Sequence, residues 1–162
     1  MHERSVTHAT FSLERTYPTS PAQVFAAWAN PDTKRRWFGG SDDAPAQLQL
    51  DFRVGGRETS RGVGPDGKVY TYEARYADIV ADRRIVYTYE MDQNGTRISV
   101  SIGTVELEQD GPATRLVYTE QGVFLDGLDS SAEREHGTRA LLDALGALLQ
   151  RTRARARARI KP

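Results

Sequence analysis

The first regular signal in the chain is an alternation of apolar and polar side chains. Between Thr7 and Pro18, Phe11 and Leu13 share one parity, continued by Arg15 and Tyr17, which predicts a strand that Pro18 stops. The period then changes. Val24, Phe25 and Trp28 recur at helical spacing behind Ser20, a predicted N-cap. Pro21 follows at the first helical position, where its missing N–H costs nothing. Gln23 stands three residues after Ser20 and completes a capping-box pattern. Pro31 ends this helix, and Asp32 to Arg36 form a second short one just before Trp37.

Alternation returns with Leu48, Leu50 and Phe52, a predicted strand punctuated by Gly55 and Gly56. Gly64 to Gly67 reads as a turn between strands. Tyr70, Tyr72, Ala74 and Tyr76 share one face of a long strand, and Ile85, Tyr87, Tyr89 and Met91 share one face of the next. Asn94-Gly95 is the best short hairpin signal in the chain. Beyond it, Ile98, Val100 and Ile102 are even but Val105 and Leu107 are odd. A parity switch at Gly103 predicts a bulge or a change of register. Leu116, Tyr118 and Glu120 fall on one side of a final strand, and Val123 to Asp129 reads as a loop.

The longest helical pattern comes last. Ser130 with Glu133 repeats the capping box, and Leu141, Leu145 and Leu148 form a stripe widened by Leu142 and Leu149. Gly137 and Thr138 extend that face a turn earlier. The order is one strand, two short helices, about six strands and one long helix. Strands joined by short turns form an antiparallel meander with one apolar face, which the long helix must cover, an α+β arrangement. A strongly curved sheet around a helix leaves a hollow at one end. The open edges of such a sheet can pair with a second copy, so a homodimer is compatible with the fold.

Length and composition add limits. At 162 residues the chain is one domain over 1–150 followed by a basic tail over 151–162. No apolar run spans a bilayer and the start lacks the apolar core of a signal peptide, so no membrane insertion and a cytoplasmic location are expected. There is no cysteine, which excludes disulfides and thiolate chemistry. His2, His8 and His136 make no ligand pair at helical or strand spacing, so no metal is expected. The net charge is zero but uneven. Five Arg and one Lys from Arg151 onward leave 16 cations against 22 acids elsewhere, a net −6 for residues 1–150. The tail reads as a contact for nucleic acid or another acidic surface, or as a solvated extension of the helix whose cations suit its C-terminus. The second reading is favoured, since no aromatic is interleaved to stack on bases.

This order, carried by the segments "RTYPTSPAQVFAAWANPDTKRRWFGG", "FRVGGR", "DGKVYTYEARYADIVADRRIVYTYE", "TVELEQDGPATRLVYTEQG" and "EREHGTRALLDALGALL", resembles the START-like superfamily. Within it the chain is similar to bacterial members of the family related to the activator of the heat shock protein 90 ATPase. The resemblance implies a helix-grip fold, a curved antiparallel sheet of six to seven strands wrapped around the C-terminal helix. It also implies a cavity between the two. Family members often carry Trp after the glycine of the last helix, where this chain has Thr138, which implies a wider or wetter cavity. The superfamily includes lipid carriers, receptors, cyclases and chaperone cofactors, so the fold does not select a function.

Trp37 and Phe38, between cations and two glycines, read either as a cavity wall or as core capping the sheet end. Lys34 to Arg36 read as a solvated face. Tyr72, Tyr87, Tyr89 and Tyr118 are assigned to the cavity by parity, with Phe52, Glu120, Thr138, Leu141 and Leu145 completing the ligand-binding set. Glu120 and His136 are the candidates for acid–base chemistry, with surface positions as the alternative. Arg57 and Arg134 fit a ligand carboxylate, Glu120, or surface ion pairs. No phosphate loop or nucleophile motif stands out, and no cofactor is expected. The favoured function is binding of a small hydrophobic or amphipathic molecule without catalysis. The alternatives are a cyclase/aromatase- or hydrolase-like enzyme and a chaperone-cofactor-like interaction module.

Overall fold

A computed structural model describes residues 3–160, so His2 and Lys161 lie outside the described residues. The elements are β1 (Val6–Tyr17), α1 (Pro21–Ala29), α2 (Pro31–Trp37), β2 (Leu48–Leu50), β3 (Arg57–Val63), β4 (Val69–Val80), β5 (Arg84–Gln93), β6 (Thr96–Asp110), β7 (Ala113–Leu125) and α3 (Ser131–Ile160). The strands make one open antiparallel sheet in the order β1-β7-β6-β5-β4-β3-β2. This is the helix-grip arrangement.

Local signals explain most element ends. The Ser20 hydroxyl accepts from Gln23 N at 3.3 Å, and Asn30 Oδ1 accepts from Asp32 N and Thr33 N to start α2. Asn94 and Gly95 both have positive φ, 49° and 82°, as the two-residue hairpin requires. The Ser130 hydroxyl caps α3 by accepting from Glu133 N at 3.2 Å.

Helix α3 lays Thr138, Leu142, Leu145, Leu148 and Leu149 onto the core. There they meet Leu13 and Tyr17 of β1 and the buried residues of β4 to β7. Tyr17 donates to the Leu142 carbonyl at 2.8 Å, tying β1 to the helix. Past Leu149 the helix runs on through Arg151 to Ile160 with every residue exposed, so the described part of the basic tail is helical. Arg151 pairs with Asp42 at 3.0 Å.

Three sequence expectations need correction. The parity break in β6 is not at Gly103. The register shifts five residues earlier, at Ile98, where Met91 faces Ser99 and Asp92 faces Arg97. Ile98 and Ser99 are both buried there, after which odd positions face inward and Val100 and Ile102 face outward, 37% and 41% exposed. Gly103 is instead an inward position kept empty for a neighbour. A Cβ on it would lie 2.6 Å from the Tyr87 ring across the strand pair. Second, Val123 to Leu125 belong to β7, because all three pair with β1 and the first two also pair with β6. A Cβ on Gly122, within β7, would lie 2.9 Å from the Ser101 hydroxyl. Third, the strand at Leu48 stops at Leu50, so Phe52 lies outside it.

Candidate functional site

A cavity of about 370 Å³ lies between the inner sheet face, α2 and the first turns of α3. Seven aromatic side chains line it, those of Trp28, Trp37, Phe38, Tyr72, Tyr87, Tyr89 and Tyr118. The rings touch in series. Trp28 and Trp37 lie 4.8 Å apart, Trp37 and Phe38 5.5 Å, Phe38 and Tyr72 5.4 Å, and Tyr72 and Tyr89 5.0 Å. Small inward residues on β6, Ser99, Ser101 and Gly103, leave the volume that the tyrosines of β5 and β7 occupy. Gly39, Glu133 and Gly137 are exposed members of the wall, so the cavity reaches solvent between the loop after α2 and the start of α3.

Trp37 and Phe38 are core and wall at once. Trp37 is buried and donates to the Ala27 carbonyl at 2.9 Å, which fixes its ring between Trp28 and Phe38. Gly40 lets the chain leave α2 sharply, since a Cβ there would sit 2.2 Å from Ala46 N and 2.3 Å from the Arg35 carbonyl oxygen.

The polar end of the cavity centres on Glu120. Tyr89 and Tyr118 both donate to its Oε1, at 2.6 and 2.7 Å, and Tyr87 donates to the Tyr118 hydroxyl at 3.3 Å. Arg134 reaches the same carboxylate at 3.4 Å and donates to the Tyr89 hydroxyl, Ser99 and Asp129 at 2.8, 2.8 and 2.6 Å. Burial would lower the Arg134 pKa, but Tyr89, Glu120 and Asp129 outweigh it and hold the guanidinium charged. Burial raises Tyr87, Tyr89 and Tyr118 well above an ordinary phenol; at Tyr89 the Arg134 charge opposes it and Glu120 reinforces it. These tyrosines are neutral hydrogen-bond donors at neutral pH.

The predicted set divides accordingly. Trp37, Phe38, Tyr72, Tyr87, Tyr89, Tyr118, Thr138 and Leu141 line the cavity. Glu120 is buried behind the tyrosine hydroxyls and is reached from the cavity through them. Leu145 lies deeper in the core, and Phe52 packs between Phe25 and Tyr76 at 5.5 and 5.0 Å, away from the wall. His136 is exposed on α3 and Arg57 is exposed on β3, so neither joins the cluster. The Thr138 hydroxyl is turned back to the Arg134 carbonyl at 2.8 Å, as a threonine within a helix commonly does.

One cluster escaped the sequence reading. Lys34 is not solvated. It is 1% exposed, and its ammonium lies 2.5 Å from Glu58, itself fully buried. Tyr76 donates to the same Glu58 oxygen at 2.6 Å. The ammonium also stands 5.3 Å from the Trp28 ring centre and 4.6 Å from that of Phe38. The pair therefore backs the cavity wall and fixes α2 to β3. The available signal was spacing, because Lys34 precedes Trp37 and Phe38 by three and four residues and so shares their helical face.

Residues 18–150 match the family model described as Activator of Hsp90 ATPase homolog 1-like protein. No curated protein matches the chain. An uncharacterized protein from Rhizobium leguminosarum is 43% identical, covers 92% of this chain and 99% of its own, and superposes with a TM-score of 0.87. A protein from Rhizobium loti is 50% identical over 89% of this chain and 99% of its own, with a TM-score of 0.82. A protein from Micromonospora echinospora, 17% identical over 96% and 90% with a TM-score of 0.65, shares the fold alone. With the family model matching most of its length and the sheet and helices arranged as a helix grip, the chain belongs to the Activator of Hsp90 ATPase homolog 1-like family.

Proposed function

We propose that this protein binds a small hydrophobic or amphipathic molecule in the cavity beneath α3. The observation that carries this reading is the aromatic wall around about 370 Å³, within the size range of small-molecule sites. The polar groups around Glu120 already satisfy one another, so an apolar ligand strands none of them. Thr138 supports the same reading, since a smaller side chain than the family's usual Trp leaves that part of the wall open.

A cyclase-like or hydrolase-like activity is the second reading. Its support is Tyr89, which lines the cavity and whose hydroxyl donates to Glu120 at 2.6 Å, a path for a proton between ligand and carboxylate. Against it, a phenol held neutral by burial is a weak acid, and Glu120 itself does not reach the wall.

Native mass spectrometry of freshly purified protein, alongside naphthylmethanol titration followed by tryptophan fluorescence, tests the binding reading. A bound mass or saturable quenching is expected in the wild type. Thr138→Trp should abolish either signal while the unfolding midpoint is retained. A clean apo mass together with no saturable quenching would overturn the reading. Chemical change of the bound molecule, lost in Tyr89→Phe, would favour the second.

A further inference from the structure

We propose that the cavity selects a ligand carrying a positive charge, an amine or quaternary ammonium on an apolar body. This rests on the binding reading above and names its ligand class. Three observations carry it. The first is charge balance at the polar end. Among the described residues Arg134 is the only cation whose side chain lines the cavity, and it is shared between Glu120 and Asp129 at 3.4 and 2.6 Å. Both of its terminal nitrogens are engaged. It is therefore neutralised and has little donor capacity for a ligand carboxylate.

The second observation is Glu133. It lines the cavity beside Arg134, is exposed at the mouth, and its carboxylate has no hydrogen-bond or ion-pair partner among the described residues. With Glu120 and Asp129 it leaves the polar end with a net negative charge. The N-terminus of α3 opposes this with only about half a positive charge.

The third is the wall itself. The rings of Phe38, Tyr72, Tyr87, Tyr89 and Tyr118 line one volume, and aromatic faces attract a cation, more strongly once the ligand displaces water from between them. Lys34 supplies a precedent within the molecule, an ammonium seated 4.6 Å from the Phe38 ring centre. Its own charge is closed off by Glu58 at 2.5 Å and does not repel a cation in the cavity.

Three probes with one apolar body test the inference on the full chain: naphthylmethyl-trimethylammonium, naphthylmethanol and naphthylacetate. Affinities are read by calorimetry or tryptophan quenching. The ammonium probe should bind about tenfold more tightly than the alcohol, and the acetate more weakly than the alcohol. Glu133→Gln should reduce the ammonium-to-alcohol ratio about threefold, and high salt should reduce it in the same direction. Equal affinity of alcohol and ammonium, or preference for acetate, would overturn the charge selection and leave the container reading standing. Failure of all three to bind would overturn both.

Discussion

Lys34→Met is the sharpest test of how the cavity wall is held. The substitution keeps an unbranched apolar stem of four heavy atoms and removes the ammonium. Glu58 would then be a buried carboxylate holding one hydrogen bond, from Tyr76 at 2.6 Å, because its Oε2 already has no partner. Removing one member of a buried ion pair costs about 3–5 kcal/mol, mostly as the penalty on the charge left behind. For a domain of this size, that corresponds to a fall in Tm of roughly 6–20 °C. The same reasoning fixes the reverse experiment. Lys34→Met with Glu58→Leu removes both charges but strands the Tyr76 hydroxyl, at about 1–3 kcal/mol. Adding Tyr76→Phe removes every polar atom of the cluster and should return stability to within about 1 kcal/mol of the wild type. Urea unfolding followed by tryptophan fluorescence reads all three variants. A loss below about 1 kcal/mol for Lys34→Met would refute the account, since a water-exposed pair costs no more than that. So would a triple variant no more stable than the single one.

Two further outcomes follow from the sheet. Gly103→Ala places a methyl 2.6 Å from the Tyr87 ring, so the ring must move into the cavity; a loss of about 1–3 kcal/mol in urea unfolding is expected, with weaker naphthylmethanol binding. The alkaline limit of stability should be set by Tyr17, Tyr72, Tyr76, Tyr87, Tyr89 and Tyr118, whose pKa values burial raises above the ordinary 10.0. Above that value the unfolded chain releases phenolic protons that the folded protein retains, so stability is unaffected by these groups below it and falls above it. Tyrosinate absorbance should therefore rise together with loss of tryptophan signal; ionisation of these phenols with the fold intact would contradict the burial described.

The sequence revealed the cavity wall better than it revealed the polar groups behind it. Strand parity brought Tyr72, Tyr87, Tyr89 and Tyr118 to one face, because alternation is dictated by the backbone whatever surrounds it. Helical spacing did the same for Thr138 and Leu141. Phe52 was misplaced because alternation was extended through a turn that a two-glycine signal already marked. Val100 and Ile102 were misread because one extra residue near Ile98 flips every later side chain, and nothing local announces it. Lys34 and Glu58 were missed for a different reason. Charged residues are normally outside, and their burial is set by a partner that lies 24 residues away in sequence. Arg134 was legible as a cation in the right place, but its two acidic partners depend on how β7 and the start of α3 meet.

Helix α3 has a consequence beyond packing. Its 30 residues span about 45 Å, with the cavity mouth near the first turns and Arg151 to Arg159 on the last. The residues before the tail carry a net −6. The arginines at one end of α3 are thus held a helix length away from Asp129 and Glu133 at the cavity mouth. An acidic surface would therefore attract the arginine end and turn the cavity mouth away from it. The alignment acts only within a Debye length, about 8 Å at physiological salt, so it orders the last approach and not the long-range search.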